Sequence, residues 1–273
     1  MAALRSRPRI APRTGTAAII AAVVGAVFAL PLIAMLEFTL RDTDGGHSLD
    51  HWIDLFTPAN AAKFQVVWLG LQNSLVLAVV TVVIMLALLV PTTIFVALRL
   101  PRWRRALEFV CLLPISIPAI VLVVGLAPVY QVIGRSLGTG VWSLAFAYGI
   151  TVLPFTYRAI QSNLDAIDVR TLSEAARTLG ASWLKVVLRV LVPNLRQGIL
   201  AASLITVAVV LGEFTIASLL GRQNLQTALV VINKQDPYIS IIVALLALMF
   251  SFVLLLVIGR FATVGESRRS SRR

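Results

Sequence analysis

The stretch D-V-R-T-L-S-E-A-A-R-T-L-G-A-S-W-L-K-V-V-L-R-V-L-V-P, Asp168 to Pro193, is polar and basic, and long apolar runs flank it on both sides. It is longer than a connector between two spans requires. Thr171 and Glu174 form T-x-x-E, a capping-box pattern that predicts a helix starting near Leu172. Gly180 supplies its stop after about two turns. Leu172, Ala175, Ala176 and Leu179 fall at i, i+3, i+4 and i+7, so one face is apolar and small in the middle. Ser182 is placed to cap a second helix. There Trp183, Val186, Val187, Val190 and Leu191 repeat at helical spacing, and Pro193 ends the pattern. A short helix with such a face suits a groove on a soluble partner. Packing on its own bundle is the other reading of the same spacing.

Outward from this stretch the chain is apolar. Of its 273 residues 59% are hydrophobic and 13% charged. Soluble domains carry about 25% charge, so the composition places this chain in a bilayer. Six segments have the roughly 20 apolar residues that a membrane helix needs. They are Thr16–Leu40, Gln72–Leu98, Ala106–Ile133, Val141–Ile160, Gln197–Leu220 and Ile239–Phe261. The expected fold is an all-α integral membrane protein of six spans. The polar stretch falls in a loop at about 161–196, between spans four and five. Residues 16–264 form one membrane domain, with tails at 1–15 and 265–273. The apolar run of the first span exceeds the 7–15 residues of a signal-peptide core, so it reads as an uncleaved anchor.

Charge placement sets the orientation. Nineteen of the 24 Lys and Arg residues fall on one side. They lie in the N-terminal tail (Arg5, Arg7, Arg9, Arg13), at Arg99–Arg105, between Arg158 and Arg196, and from Arg260 to Arg273. The other side holds Arg41, Lys63, Arg135, Arg222 and Lys234, together with Asp42, Asp44, Asp50 and Asp54. The positive-inside rule then puts both termini in the cytoplasm. The net charge of +12 is thereby topogenic and sets aside nucleic acid as a partner. The basic tails are placed to meet anionic lipid headgroups. The single cysteine, Cys111, lies in an apolar run and reads as an inert buried thiol.

Within the spans, Pro31, Pro91, Pro114, Pro118, Pro128 and Pro154 predict kinks or breaks. Glu213, in L-G-E-F-T-I-A-S-L-L, is a carboxylate at depth. It must face a cavity or a hydrogen-bonding neighbour. As part of a translocation path it would favour cationic or hydrogen-bond-donating solutes. Asn73 and Ser74 open the second span and are placed to hydrogen-bond across helices. Asn73, Ser74 and Glu213 are the candidate path residues. Glu37 reads as interfacial, and Glu108 as an i,i+4 ion-pair partner of Arg104. His47 and His51 lack a third ligand at metal-site spacing, so no metal site is assigned.

E-A-A-R-T-L-G-A-S-W-L-K-V-V-L-R-V-L-V-P resembles the EAA loop of permease subunits in binding-protein-dependent ABC importers, the MetI-like family. That pattern is E-A-A, three residues, G, nine residues, I-x-L-P. Here Glu174, Ala175, Ala176, Gly180 and Pro193 match, and Val190 and Val192 stand where Ile and Leu are usual. The resemblance implies a second permease, identical or homologous, and two cytoplasmic ABC ATPases that receive the loop in grooves. It also implies an extracytoplasmic solute-binding protein and a place in a bacterial cell membrane. Thr171, Leu172, Glu174, Ala175, Ala176, Leu179, Gly180 and Pro193 would form the ATPase-coupling element. ATP and Mg would be bound in the partner subunits, with no cofactor in this chain. Length and the L-G-E-F-T-I-A-S-L-L segment look like the spermidine/putrescine branch; related branches carry aminoethylphosphonate, iron, thiamine or oxyanions.

The sequence contains no G-x-x-x-x-G-K-[ST] phosphate cradle, H-E-x-x-H or nucleophile elbow, so no enzyme is expected in this chain itself. Two readings of other classes remain at this level. One is an ion-gradient-driven secondary transporter, which would show paired broken repeats. The other is a non-transporting membrane scaffold or sensor.

Overall fold

The computed structural model describes residues 14–42 and 45–270. Arg5, Arg7, Arg9, Arg13, Asp44, Arg272 and Arg273 lie outside them. Among the described residues the regular structure is helical, apart from one bridge between Arg41 and His47. The order is α1 Thr14–Leu40, α2 Asp50–Phe56, α3 Gln65–Arg99, α4 Arg104–Leu112, α5 Ala119–Leu137 and α6 Ala145–Asp165. Then come α7 Val169–Thr178, α8 Trp183–Lys185, a π-helical turn Val186–Leu191 and α9 Val192–Asn194. The chain closes with α10 Arg196–Gly212, α11 Thr215–Leu219, α12 Leu225–Asn233 and α13 Pro237–Ser270.

Helices α3, α6 and α10 pack on one another and form the centre. Their facing residues include Met85, Leu89, Val152, Ile160 and Ala202, all buried. Thr156 and Thr206 face each other across α6 and α10 at 3.4 Å between hydroxyl oxygens. Each hydroxyl also bonds a carbonyl of its own helix, which lets it sit in an apolar core. Cys111 is buried, as its apolar run implied. By contrast α1 is exposed over most of its length and meets the bundle through α13 and α2.

Among the described residues, length and composition qualify three helical stretches as spans: Ala18–Leu40, Gln65–Arg99 and Ala119–Ser136. A fourth is the pair Trp183–Asn194 and Arg196–Gly212, bent by 72°. The six expected segments are all helical, but two of them are divided. The third breaks into α4 and α5 because Pro114 and Pro118 interrupt it. Ile117, just before Pro118, takes an extended backbone (φ −102°, ψ 117°), the region that proline imposes on its predecessor. The fifth breaks at Glu213. There α10 stops, the chain makes the short α11, turns at Gly221, and returns as α12 against α3 and α13. The last helix runs on to Ser270, past the expected boundary of the tail at 265. Arg104 pairs with Asp165 at the end of α6, joining α4 to α6, rather than with Glu108 one turn away. His51 stacks on Tyr238 with ring centroids 4.1 Å apart, and His47 lies 3.7 Å from Glu37.

Candidate functional site

Two polar regions carry the candidate residues. The first is the segment after α6. Its helix starts earlier than the T-x-x-E pattern implied, because Asp168 and not Thr171 is the cap. An Asp168 carboxylate oxygen accepts the Thr171 backbone N–H at 3.1 Å, and the Thr171 hydroxyl donates to the other at 2.7 Å. That hydroxyl bond, followed by the backbone one, holds the Asp168 carboxyl below its usual range. A carboxyl lowered in the folded state supports the helix above its unfolded pKa. The support is lost as the pH falls through the lowered value.

The other end is as the sequence indicated. Gly180 has φ +80°, which glycine adopts without strain. Its N–H donates to Arg177 O at 2.9 Å, and the Ala181 N–H reaches back to Ala176 O at 3.1 Å. This is a Schellman stop. Ser182 makes no side-chain cap bond; its carbonyl accepts from Val186 N–H.

Side-chain placement divides the predicted apolar face. Leu172 and Ala176 pack on the bundle core, near buried Val169, Val186 and Leu191. Glu174, Ala175 and Thr171 are exposed, and Leu179 is 88% exposed. The segment is therefore rooted on one side and free on the other. Trp183 adds a second root: the Arg99 guanidinium, at the end of α3, lies 5.5 Å over its ring. Pro193 lies on an exposed turn inside α9. The π-helical turn stands just before α9, and the Asn194 side chain bonds Val190 O at 2.7 Å. The sharp bend into α10 follows at Leu195.

The second region gathers Asn73, Ser74 and Glu213 around the turn between α11 and α12. Asn224 is its centre and is fully buried. Its side-chain oxygen accepts Thr227 N–H at 2.9 Å, and Thr227 Oγ1 accepts Asn224 N–H at 2.9 Å. Its amide nitrogen donates to Glu213 O at 2.6 Å and to the Tyr148 hydroxyl at 3.1 Å. Ser74 Oγ accepts Leu225 N–H at 2.8 Å, and Asn73 donates to Gln223 O at 2.9 Å. Gln223 and Gln226 close the set on Val66 O and Leu211 O. Glu213 itself caps α11, accepting Ile216 N–H at 2.9 Å through Oε1. Its Oε2 is buried with no hydrogen-bond partner.

The close approach of α12 to α3 depends on Gly70. A Cβ there would meet Ala228 Cβ at 2.6 Å and Asn224 O at 2.8 Å. Asn224, Tyr148, Gln223 and Gln226 escaped the sequence reading. The signals were present in N-L-Q-T, a capping-box spacing from Asn224 to Thr227, and in the polar break G-R-Q-N after an apolar run.

Residues 89–270 match the family described as binding-protein-dependent transport system inner membrane component. The chain belongs to this family. The match takes in the whole Asp168–Pro193 segment and the α11–α12 turn. The permease is similar to the spermidine/putrescine transport system permease protein PotB of Haemophilus influenzae, 28% identical over 209 residues, 70% of each chain. It is similar to PotC of the same organism, 30% identical over 117 residues, 43% of this chain and 44% of that one. A probable molybdenum ABC transporter permease protein of Haloferax volcanii is 30% identical over 156 residues, 55% of this chain and 58% of that one. All three relatives are named as transport permease proteins. Family and apolar helices together make this permease a multi-pass component of the inner membrane.

Proposed function

We propose that this chain is the permease subunit of an ATP-driven importer, that it forms part of the solute path, and that α7 couples it to cytoplasmic ATPases. The observation that carries the coupling role is Leu179, 88% exposed at the end of a helix whose root is buried. Burying such a leucine is worth about 1.5–3 kcal/mol. With exposed Ala175 and Glu174 beside it, it forms a rigid knob for a partner's groove. Leu172 and Ala176 pass the push to α3 and α6, and Gly180 and Pro193 bound the lever. The partners are two ABC ATPases, which bind ATP and Mg, a second permease, and an extracytoplasmic solute-binding protein. Six spans with both termini in the cytoplasm agree with the basic side of the chain.

For the solute we propose a polyamine or another small amine. The named spermidine/putrescine relatives support this, and so does the buried carboxylate oxygen of Glu213 that has no hydrogen-bond partner. Asn73 and Ser74 hold the wall that carries Glu213. The test is uptake by proteoliposomes containing the chain with its ATPases and binding protein. Ala175→Arg and Gly180→Asp should abolish ATP-driven uptake and ATPase association while the chain stays inserted. Uptake that survives both would remove the coupling role. Uptake by this chain alone, stopped by a protonophore, would make it a secondary transporter.

A further inference from the structure

A cleft of about 500 Å³ opens between the C-terminal end of α5 and the turn after α11. Two guanidinium groups line it. Arg135 lies in the last turn of α5, and Arg222 follows the turn at Gly221. Both stand at helix C-termini, where carbonyl ends favour a cation. The convergence of those two ends brings both charges to one cleft. Among the described residues neither arginine forms an ion pair, and no carboxylate lines the cleft.

Arg222 is held by its backbone. Its N–H donates to Ala217 O at 2.8 Å, and its carbonyl accepts the Thr227 hydroxyl at 3.5 Å. Its Nε is nevertheless buried with no hydrogen-bond partner. Arg222 lines the cleft as a residue, and a guanidinium fork is shaped for an oxyanion. The Tyr130 hydroxyl is turned to other partners. It donates to Ser143 O at 2.9 Å and accepts Ala147 N–H at 3.1 Å, so only the ring serves as wall. Gln131 adds a neutral amide, and Leu219 and Leu220 an apolar surface. The volume far exceeds that of a lone anion the size of a few waters, each about 30 Å³.

We propose that this cleft binds a phosphate group carried on a larger, partly apolar body, with its oxygens held between Arg135 and Arg222. Two like charges repel a free polyamine, so this ligand is not the proposed amine solute, and the site is independent of the coupling role. Two sources share the chemistry: a soluble organic phosphate and an anionic phospholipid headgroup.

The test uses the full chain in nanodiscs of phosphatidylcholine. One arm titrates glycerol 3-phosphate by calorimetry. The other measures retention of phosphatidylglycerol by native mass spectrometry. At least one probe should bind the wild type, weaken about tenfold in Arg135→Gln, and be lost in the Arg135→Gln, Arg222→Gln double variant. Lys234→Gln, an exposed charge away from the cleft lining, should bind as the wild type does. Arg135 is exposed, so its variant remains informative if Arg222 variants do not fold. Binding of the soluble probe alone assigns an organic phosphate, and of the lipid alone a headgroup. Failure of both probes on the wild type, or unchanged binding by Arg135→Gln, would overturn the proposal.

Discussion

The Asp168–Pro193 segment and the Glu213–Thr227 turn both interrupt an apolar chain with polar residues, yet they direct those residues oppositely. In the first, the capping bonds span three residues, as from Thr171 to Asp168, and the remaining polar side chains are exposed, Ser173 apart. In the second, local caps are tied into the bundle by bonds between residues 76 to 157 positions apart, and the polar groups point inward. The difference follows from the surroundings. Polar groups at a water-facing end are satisfied by solvent, so side chains there are free to serve a partner. Polar groups in the apolar interior must find protein partners, so nearly all of them are committed to structure. Glu213 Oε2 and Arg222 Nε are the exceptions in this turn, and the solute proposal rests on the first of them.

This contrast can be broken by substitution. The largest effect on stability is expected from Asn224→Ala. It strips partners from Thr227 N–H, Glu213 O and the Tyr148 hydroxyl together, at about 3 kcal/mol or more. The thermal unfolding midpoint in nanodiscs should fall sharply; an unchanged midpoint would show that the turn does not hold the bundle. Gly70→Ala should come next. Its new Cβ falls within 2.8 Å of backbone in the turn, a clash worth about 1–3 kcal/mol that the same assay reads as a smaller drop. Leu179→Ser should be nearly silent in unfolding, within about 0.5 kcal/mol, because 88% of Leu179 is already exposed. Its expected effect is on co-purification with the ATPases. Should it destabilise the chain as much as Gly70→Ala, the two regions would not differ as described.

The two regions also differ in how far they can be read from sequence. The Asp168–Pro193 segment is written in local code. Gly180 marks the stop, and E-A-A with its downstream Gly and Pro carries the family. Even there the T-x-x-E pattern puts the start too late, at Leu172 instead of Val169, because Asp168 outcompetes Thr171 for the cap. The division of the apolar face is also hidden. Leu172 and Leu179 share a helical stripe, but only Leu172 meets the core. Around Glu213 the residue types are legible and their partners are not. Asn73 and Ser74 are identifiable as interhelical hydrogen-bonders, but Gln223 and Leu225 lie far along the chain. The break of the fifth span at Glu213 is masked by its hydropathy, since L-G-E-F-T-I-A-S-L-L remains apolar through the turn.

By itself the sequence determined the membrane, the helical class, the basic bias of its loops and the E-A-A family signature. Each of these is a sum or a short-range pattern: hydropathy over a window, charge counted per loop, residues within a few turns. The tertiary structure alone decided which polar atoms are paired and which are left over. Glu213 Oε2 and Arg222 Nε are buried without a hydrogen-bond partner in the folded chain. That is a property of the whole set of contacts, and no window of sequence contains it.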